Sequence, residues 1–198
     1  MRGLNGQSDG SIEGGTLSKM QAYFNLVRRL VKAFEASGLD YAFTGAMAAS
    51  FYGLPRTTTD VDLMVQVSDK LGKSRLVRAL KRAGIKADEE GVARSIASGY
   101  MIVTFGDRKT VYSTDIIISN EKLQKRVGTV AGIRTFFQAP EDLILAKLRM
   151  IKATVPKERA LKDKEDIRAI LRFTVVDVEA IKKRAKKDTT LSIFEALS

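Results

Sequence analysis

Neither cysteine, histidine nor tryptophan occurs among the 198 residues, and proline occurs only three times. Without cysteine there is no disulfide, no thiolate zinc site and no thiol nucleophile. Without histidine there is no Ser-His-Asp or Cys-His catalysis, no histidine-bound metal and no imidazole base. Any chemistry therefore rests on carboxylates, hydroxyls, lysine, arginine and a hard cation bound through oxygen. No apolar run reaches the ~18 residues of a membrane span, and the N-terminal residues lack the apolar core of a signal peptide. With no cysteine either, the expected location is cytoplasmic. Few thermolabile residues and many Lys and Arg are what a thermophile's protein carries.

What is present is charge, mostly of one sign. Lys and Arg number 34 against 23 Asp and Glu, a formal charge of +11. Such a balance suits polyanionic partners such as RNA, DNA or nucleotide phosphates. From Lys147 to Asp188 there are 14 basic and 7 acidic residues, which marks the C-terminal third as the expected polyanion surface. A hydrophobic fraction of 44% over this length supports one domain with its own core, or one domain and a small appendage.

Five of the 15 glycines fall within residues 1–15, which read as a flexible leader. The apolar residues Met20, Phe24, Val27, Val31 and Phe34 then recur at helical spacing, and Gly38 stops the helix. Tyr41–Thr44 reads as a strand ending at Gly45, followed by a small-residue helix over Ala46–Tyr52. Asp60–Val67 alternates, with Val61, Leu63, Val65 and Val67 on one face. Ser68–Ala83 reads as a basic amphipathic helix. Tyr100–Phe105 and Thr110–Ser119 read as hairpin strands, and Thr129–Phe137 as one more strand or ribbon. After Pro140 the pattern is helical, with further helices expected at 157–173, 177–187 and 190–197. The organisation is thus an α/β (α+β) core over 16–139 and a helical subdomain over 140–198.

The chemistry-bearing candidates are acids. Asp60 and Asp62 are two apart on a strand and so share a face. Two adjacent carboxylates repel unless a cation lies between them. Asp115, within the apolar Thr110–Ser119 run, either faces solvent on an edge or joins the other two. In the second case, three carboxylates make an oxygen site suited to Mg²⁺ or Mn²⁺.

Gly45-Ala46, the short helix, Arg56-x-Thr58-x-Asp60-Val61-Asp62-Leu63 and the later Asp115 together resemble the nucleotidyltransferase superfamily, which has the DNA polymerase β-like fold. The form is most similar to its minimal members, including toxins of AbiE-type toxin–antitoxin systems. Their helical segment with Lys, then Arg, then Lys-Asp is matched by Lys147, Arg159 and Lys162-Asp163. The family's second small residue is usually Gly or Ser. Ala46 keeps the backbone N–H but adds a methyl group.

The resemblance implies a mixed-sheet nucleotidyltransferase fold, two Mg²⁺ or Mn²⁺ ions, and transfer of NMP from an NTP to an acceptor hydroxyl. It makes Asp60, Asp62 and Asp115 the catalytic metal ligands. Gly45, Ala46, Arg56, Thr58, Lys147 and Arg159 become nucleotide-binding candidates. The acceptor is left open among RNA or tRNA, a protein hydroxyl and a small molecule, and an antitoxin is a further partner. The alternatives are a non-catalytic nucleic-acid-binding module and a toxin component on the same fold. Asp163 and Asp166 read as salt-bridging acids. Tyr112, Phe136 and Phe137 read as packing residues or base-stacking platforms.

Overall fold

The computed structural model of the protein describes residues 11–97 and 102–198. Most of the predicted leader, and the Tyr100 start of a predicted strand, lie outside the described residues. Helix α1, Ser11–Glu35, begins within the last residues assigned to that leader. Its apolar stripe buries Leu26, Val27, Leu30, Val31 and Phe34, whereas Met20 near its start is exposed. Strand β1 (Tyr41–Phe43) leads into helix α2 (Gly45–Tyr52) and then strand β2 (Asp60–Gln66). Helix α3 (Lys70–Arg82) follows, capped by Asp69, whose carboxylate accepts from the Gly72 N–H at 2.6 Å.

Helix α4 (Glu89–Ala97) has no counterpart among the elements expected from sequence. Its Gly91 and Ser95 interrupt the apolar rhythm, so tertiary contact with α3 stabilises it more than propensity does. Strands β3 (Ile102–Gly106) and β4 (Ser113–Ser119) form the expected antiparallel pair. The single ribbon expected at Thr129–Phe137 is a hairpin, β5 (Lys125–Val130) and β6 (Ile133–Gln138). Its turn, Ala131-Gly132, has φ of 51° and 76°, the left-handed pair that suits a two-residue hairpin. Helix α5 (Pro140–Ala153) starts with Pro and two acids. A short 3₁₀ turn (Lys157–Ala160) precedes α6 (Leu161–Phe173), α7 (Val178–Lys187) and α8 (Leu191–Glu195).

The six strands form one mixed sheet in the order β3-β4-β2-β1-β6-β5. The β2/β4 and β1/β6 pairs are parallel and the other pairs antiparallel. Buried residues of the sheet (Val61, Leu63, Ile116) and of the C-terminal helices (Leu148, Ile167, Ile181) belong to one continuous apolar cluster. Helix α6 comes close enough to α2 that a Cβ on Gly53 would lie 2.9 Å from that of Ala169. Among the described residues no helix is long and apolar enough to cross a membrane.

Candidate functional site

The parallel pairing of β2 with β4 sets Asp62 directly beside Asp115 and Asp60 beside Ser113. Strand parity keeps Asp60 and Asp62 on the same side. Asp60, Asp62 and Asp115 thereby offer carboxylate oxygens that all lie within 4.8 Å of one another. A Mg²⁺ or Mn²⁺ ion binding oxygens at ~2.0–2.2 Å fits such a span. One further observation suits a cation: Asp115 Oδ1 is buried and has no hydrogen-bond partner among the described residues. A buried carboxylate oxygen left in that state is costly without a counter-charge.

Electrostatics give the same picture. Burial, followed by the charges of Asp60 and Asp115, pushes the Asp62 carboxyl up from 3.8 to about 6. The Ala46 backbone N–H and the Lys147 ammonium oppose that rise. The Ala46 amide belongs to the first turn of α2, so the positive end of that helix meets Asp62.

Gly45 explains how the helix comes so close. Its φ is +56°, a conformation unfavourable for a side chain, and a Cβ there would lie 2.6 Å from Asp62 Cγ. Just before it, the Thr44 N–H donates to the Asp62 carbonyl at 3.0 Å, holding the end of β1 in register with β2. Thr58 donates from Oγ1 to Asp60 Oδ1.

The remaining candidates divide. Arg56 pairs with Asp166: Nη2 donates to Oδ2 at 3.1 Å, and Nε lies 3.0 Å from Oδ1. Lys147 is 5% exposed and lies 2.9 Å from Asp163 and 2.7 Å from Asp166. Asp163 and Asp166 are therefore the bridging acids that the sequence pattern suggests, holding the β2 approach loop and α5 to α6. Arg159 is exposed on the 3₁₀ turn, and among the described residues no ion pair joins it to the carboxylates.

Two features of the site have no signal in the sequence reading. The Tyr23 hydroxyl, from α1, donates to the Asp60 carbonyl at 3.3 Å. Burial, then the charges of Asp62 and Asp60, push this phenol well above its ordinary range. Tyr112 stacks edge-on against it at 5.2 Å. In the sequence, Tyr23 lies beside the stripe residue Phe24 and belongs to no motif. The second feature is a cleft of about 750 Å³ bordered by Tyr23, Ala46, Arg56, Thr58 and Tyr112. Phe137 serves packing as well as the cleft wall, since it stacks on Phe51 at 4.0 Å with rings 3° from parallel. Phe136 lies instead under the Lys125 ammonium, 3.9 Å from its ring centre.

No family profile matches the sequence, and no curated protein matches it. Solved structures do match the fold. The antibiotic-resistance factor ANT(2'')-Ia in solution is 12% identical, with a TM-score of 0.60 over 89% of this chain and 92% of that chain. The crystal structure of ANT(2'')-Ia with adenylyl-2''-tobramycin gives 12% identity, a TM-score of 0.58, and 88% and 98% coverage. An antigenic nucleotidyltransferase-like protein from Paracoccidioides brasiliensis gives 15%, a TM-score of 0.53, and 85% and 92%. This chain has the nucleotidyltransferase fold, and its own acids lie on two adjacent parallel strands of the mixed sheet. At these identities the likeness establishes the fold of this chain.

Proposed function

We propose that the protein is a divalent-metal-dependent nucleotidyltransferase that transfers NMP from an NTP to an acceptor hydroxyl. The observation that carries this reading is the convergence of Asp60, Asp62 and Asp115 beside the first turn of α2. Asp60, Asp62 and Asp115 would hold Mg²⁺ or Mn²⁺. The metal supplies Lewis-acid activation of the acceptor and neutralises charge developing on the leaving pyrophosphate.

The chain's own groups do the rest. The amides of Gly45 and Ala46, at the positive end of α2, suit the β- and γ-phosphates. The close approach permitted by Gly45 lets the helix end serve carboxylate and phosphate together. Arg56 and Lys147 are oriented by Asp166, the Lys147 charge acts on Asp62, and the two are the cations available to the triphosphate. Tyr23, held neutral, closes one side of the cleft and donates a hydrogen bond without adding charge. A non-catalytic binding module has no use for three converging acids in a basic protein, because without a cation they repel phosphate.

The test is incubation with each labelled NTP, Mg²⁺ or Mn²⁺ and candidate RNA, protein and small-molecule acceptors, beside Asp60→Ala. Metal-dependent label transfer that is lost in Asp60→Ala supports the reading. Transfer that persists in Asp60→Ala overturns it.

A further inference from the structure

Helix α3 offers a second basic surface beside the one that the sequence count places in the C-terminal third. There Lys147, Arg149, Lys182 and Arg184 are each matched by an aspartate or glutamate. Helix α3 is different. Its 13 residues carry Lys70, Lys73, Arg75, Arg78, Lys81 and Arg82 and no acid. None of these six has an ion-pair partner among the described residues. Leu76, Val77, Ala79 and Leu80 fix the other face of α3 in the core, so the cations cannot turn inward.

Arg75, Arg78 and Arg82 recur at helical spacing and form a stripe about 10 Å long. They line a groove of about 630 Å³ whose other wall is the end of α1, with the small residues Ala33, Ala36 and Gly38. Glu35 also lines it, but its carboxylate accepts the Tyr41 hydroxyl at 2.9 Å. Three guanidinium forks in one concave strip match a row of phosphates, because each planar fork pairs with phosphate oxygens in two-point fashion.

We infer that the α3 groove is a docking surface for the phosphate backbone of RNA, a binding function beyond nucleotidyl transfer and independent of it. RNA is favoured over duplex DNA because α3 lies packed beside α1. The concave strip between the two helices lets a flexible single-stranded RNA loop follow it, whereas B-form DNA is stiff and meets it with a convex surface. A lipid surface is disfavoured because Leu71 is the one large apolar side chain that α3 exposes, too little to anchor an interfacial helix. No aromatic side chain lines the groove, so the contact is to backbone and independent of sequence. The C-terminal end of α3 leads through Gly84 to Ile85, which bridges to Asp107 beside Gly106. Gly106 aligns with Ser113, and Ser113 with Asp60. The stripe therefore runs toward the carboxylate end of the sheet.

The experiment is fluorescence anisotropy with a labelled RNA hairpin at several salt concentrations, without metal or nucleotide. The parent, Arg75→Gln/Arg78→Gln/Arg82→Gln and a control, Lys183→Gln/Lys186→Gln/Lys187→Gln on α7, are compared. The α3 variant is expected to lose at least about tenfold in affinity, and the slope of log affinity against log salt to flatten by about 2. The α7 variant stays within about twofold, and both variants melt with the parent. Failure of the parent to bind, equal losses in the two variants, or duplex DNA bound as tightly as RNA each overturns the inference. Binding by Asp60→Ala at the parent's affinity separates this surface from the transfer reaction, whether or not that reaction is found.

Discussion

Replacing Asp62 by asparagine removes one charge while keeping the shape of the side chain. In the metal-free protein the Asp62 carboxyl titrates near 6 rather than 3.8. Between those values the folded protein holds a proton that the unfolded chain has released. Stability therefore falls as pH rises through this window, and the loss is complete above about pH 7. A rise of about two units corresponds to about 3 kcal/mol at most. The neutral asparagine carries no such penalty. In chelator, Asp62→Asn is expected to match the parent near pH 4 and to melt higher near pH 7.5, by at most about 6–12 °C given about 2–4 °C per kcal/mol at this chain length. Millimolar Mg²⁺ or Mn²⁺ then reverses the order, because only the parent gains the stabilisation of a ligand that binds the folded state. The assay is thermal denaturation across pH, with and without metal. An Asp62→Asn protein that melts at or below the parent at pH 7.5 in chelator would refute the claim that burial and the neighbouring charges strain the Asp62 carboxylate. Equal stabilisation of both proteins by metal would place the ion elsewhere.

Gly45→Ala is expected to abolish metal-dependent stabilisation while costing about 1–2 kcal/mol of stability, since the new methyl group displaces the Asp62 carboxylate and φ becomes unfavourable; metal titration by thermal shift checks this. Asp166→Ala leaves Arg56 without its ion-pair partner and the buried Lys147 with Asp163 alone, and is expected to cost about 3–5 kcal/mol. The half-exposed Asp163→Ala costs clearly less, and equal urea midpoints for the two would contradict this account. Asp107 is buried, which alone would raise its pKa, yet hydrogen bonds from Arg29 and Thr110 and the charge of Arg29 bring it below 3.8. Its contribution is therefore present above about pH 4 and lost as pH falls further. Asp107→Asn is expected to lower stability at neutral pH and to flatten that acid limb in a pH series of melts.

Strand parity made the carboxylate site legible in advance. Asp60 and Asp62 had to share a face, and an aspartate inside an apolar run needed either water or a partner. The structure supplied the partner through parallel pairing, which local sequence cannot specify. Helix α4 escaped because its apolar positions are too few to show a period, and the β5–β6 turn because Ala131, with no turn signature, occupies a left-handed position. Tyr23 was invisible as a site residue because no motif marks it, and only the packing of α1 brings its hydroxyl to the Asp60 carbonyl. The basic groove of α3 went unnoticed because a count along the chain records the excess of a long segment and not that one short helix carries six cations and no acid. Four cations of the C-terminal third pair with acids, whereas α3 has no acid of its own.

The parallel union of β2 and β4 has a consequence for biogenesis. These strands are separated in the chain by α3, α4 and β3, so no hairpin can nucleate their pairing, and loop-closure entropy makes it a long-range and comparatively slow contact. A slip of one residue would turn Asp115 to the other face while leaving most hydrogen bonds of the ladder available. The acidic cluster therefore exists only in chains whose global topology is already correct. A nascent or misthreaded chain has scattered aspartates, so the convergence of the three carboxylates follows the maturation of the protein. Refolding followed by metal-dependent fluorescence would register β2–β4 registration as a step distinct from the earlier closure of the local β5–β6 hairpin.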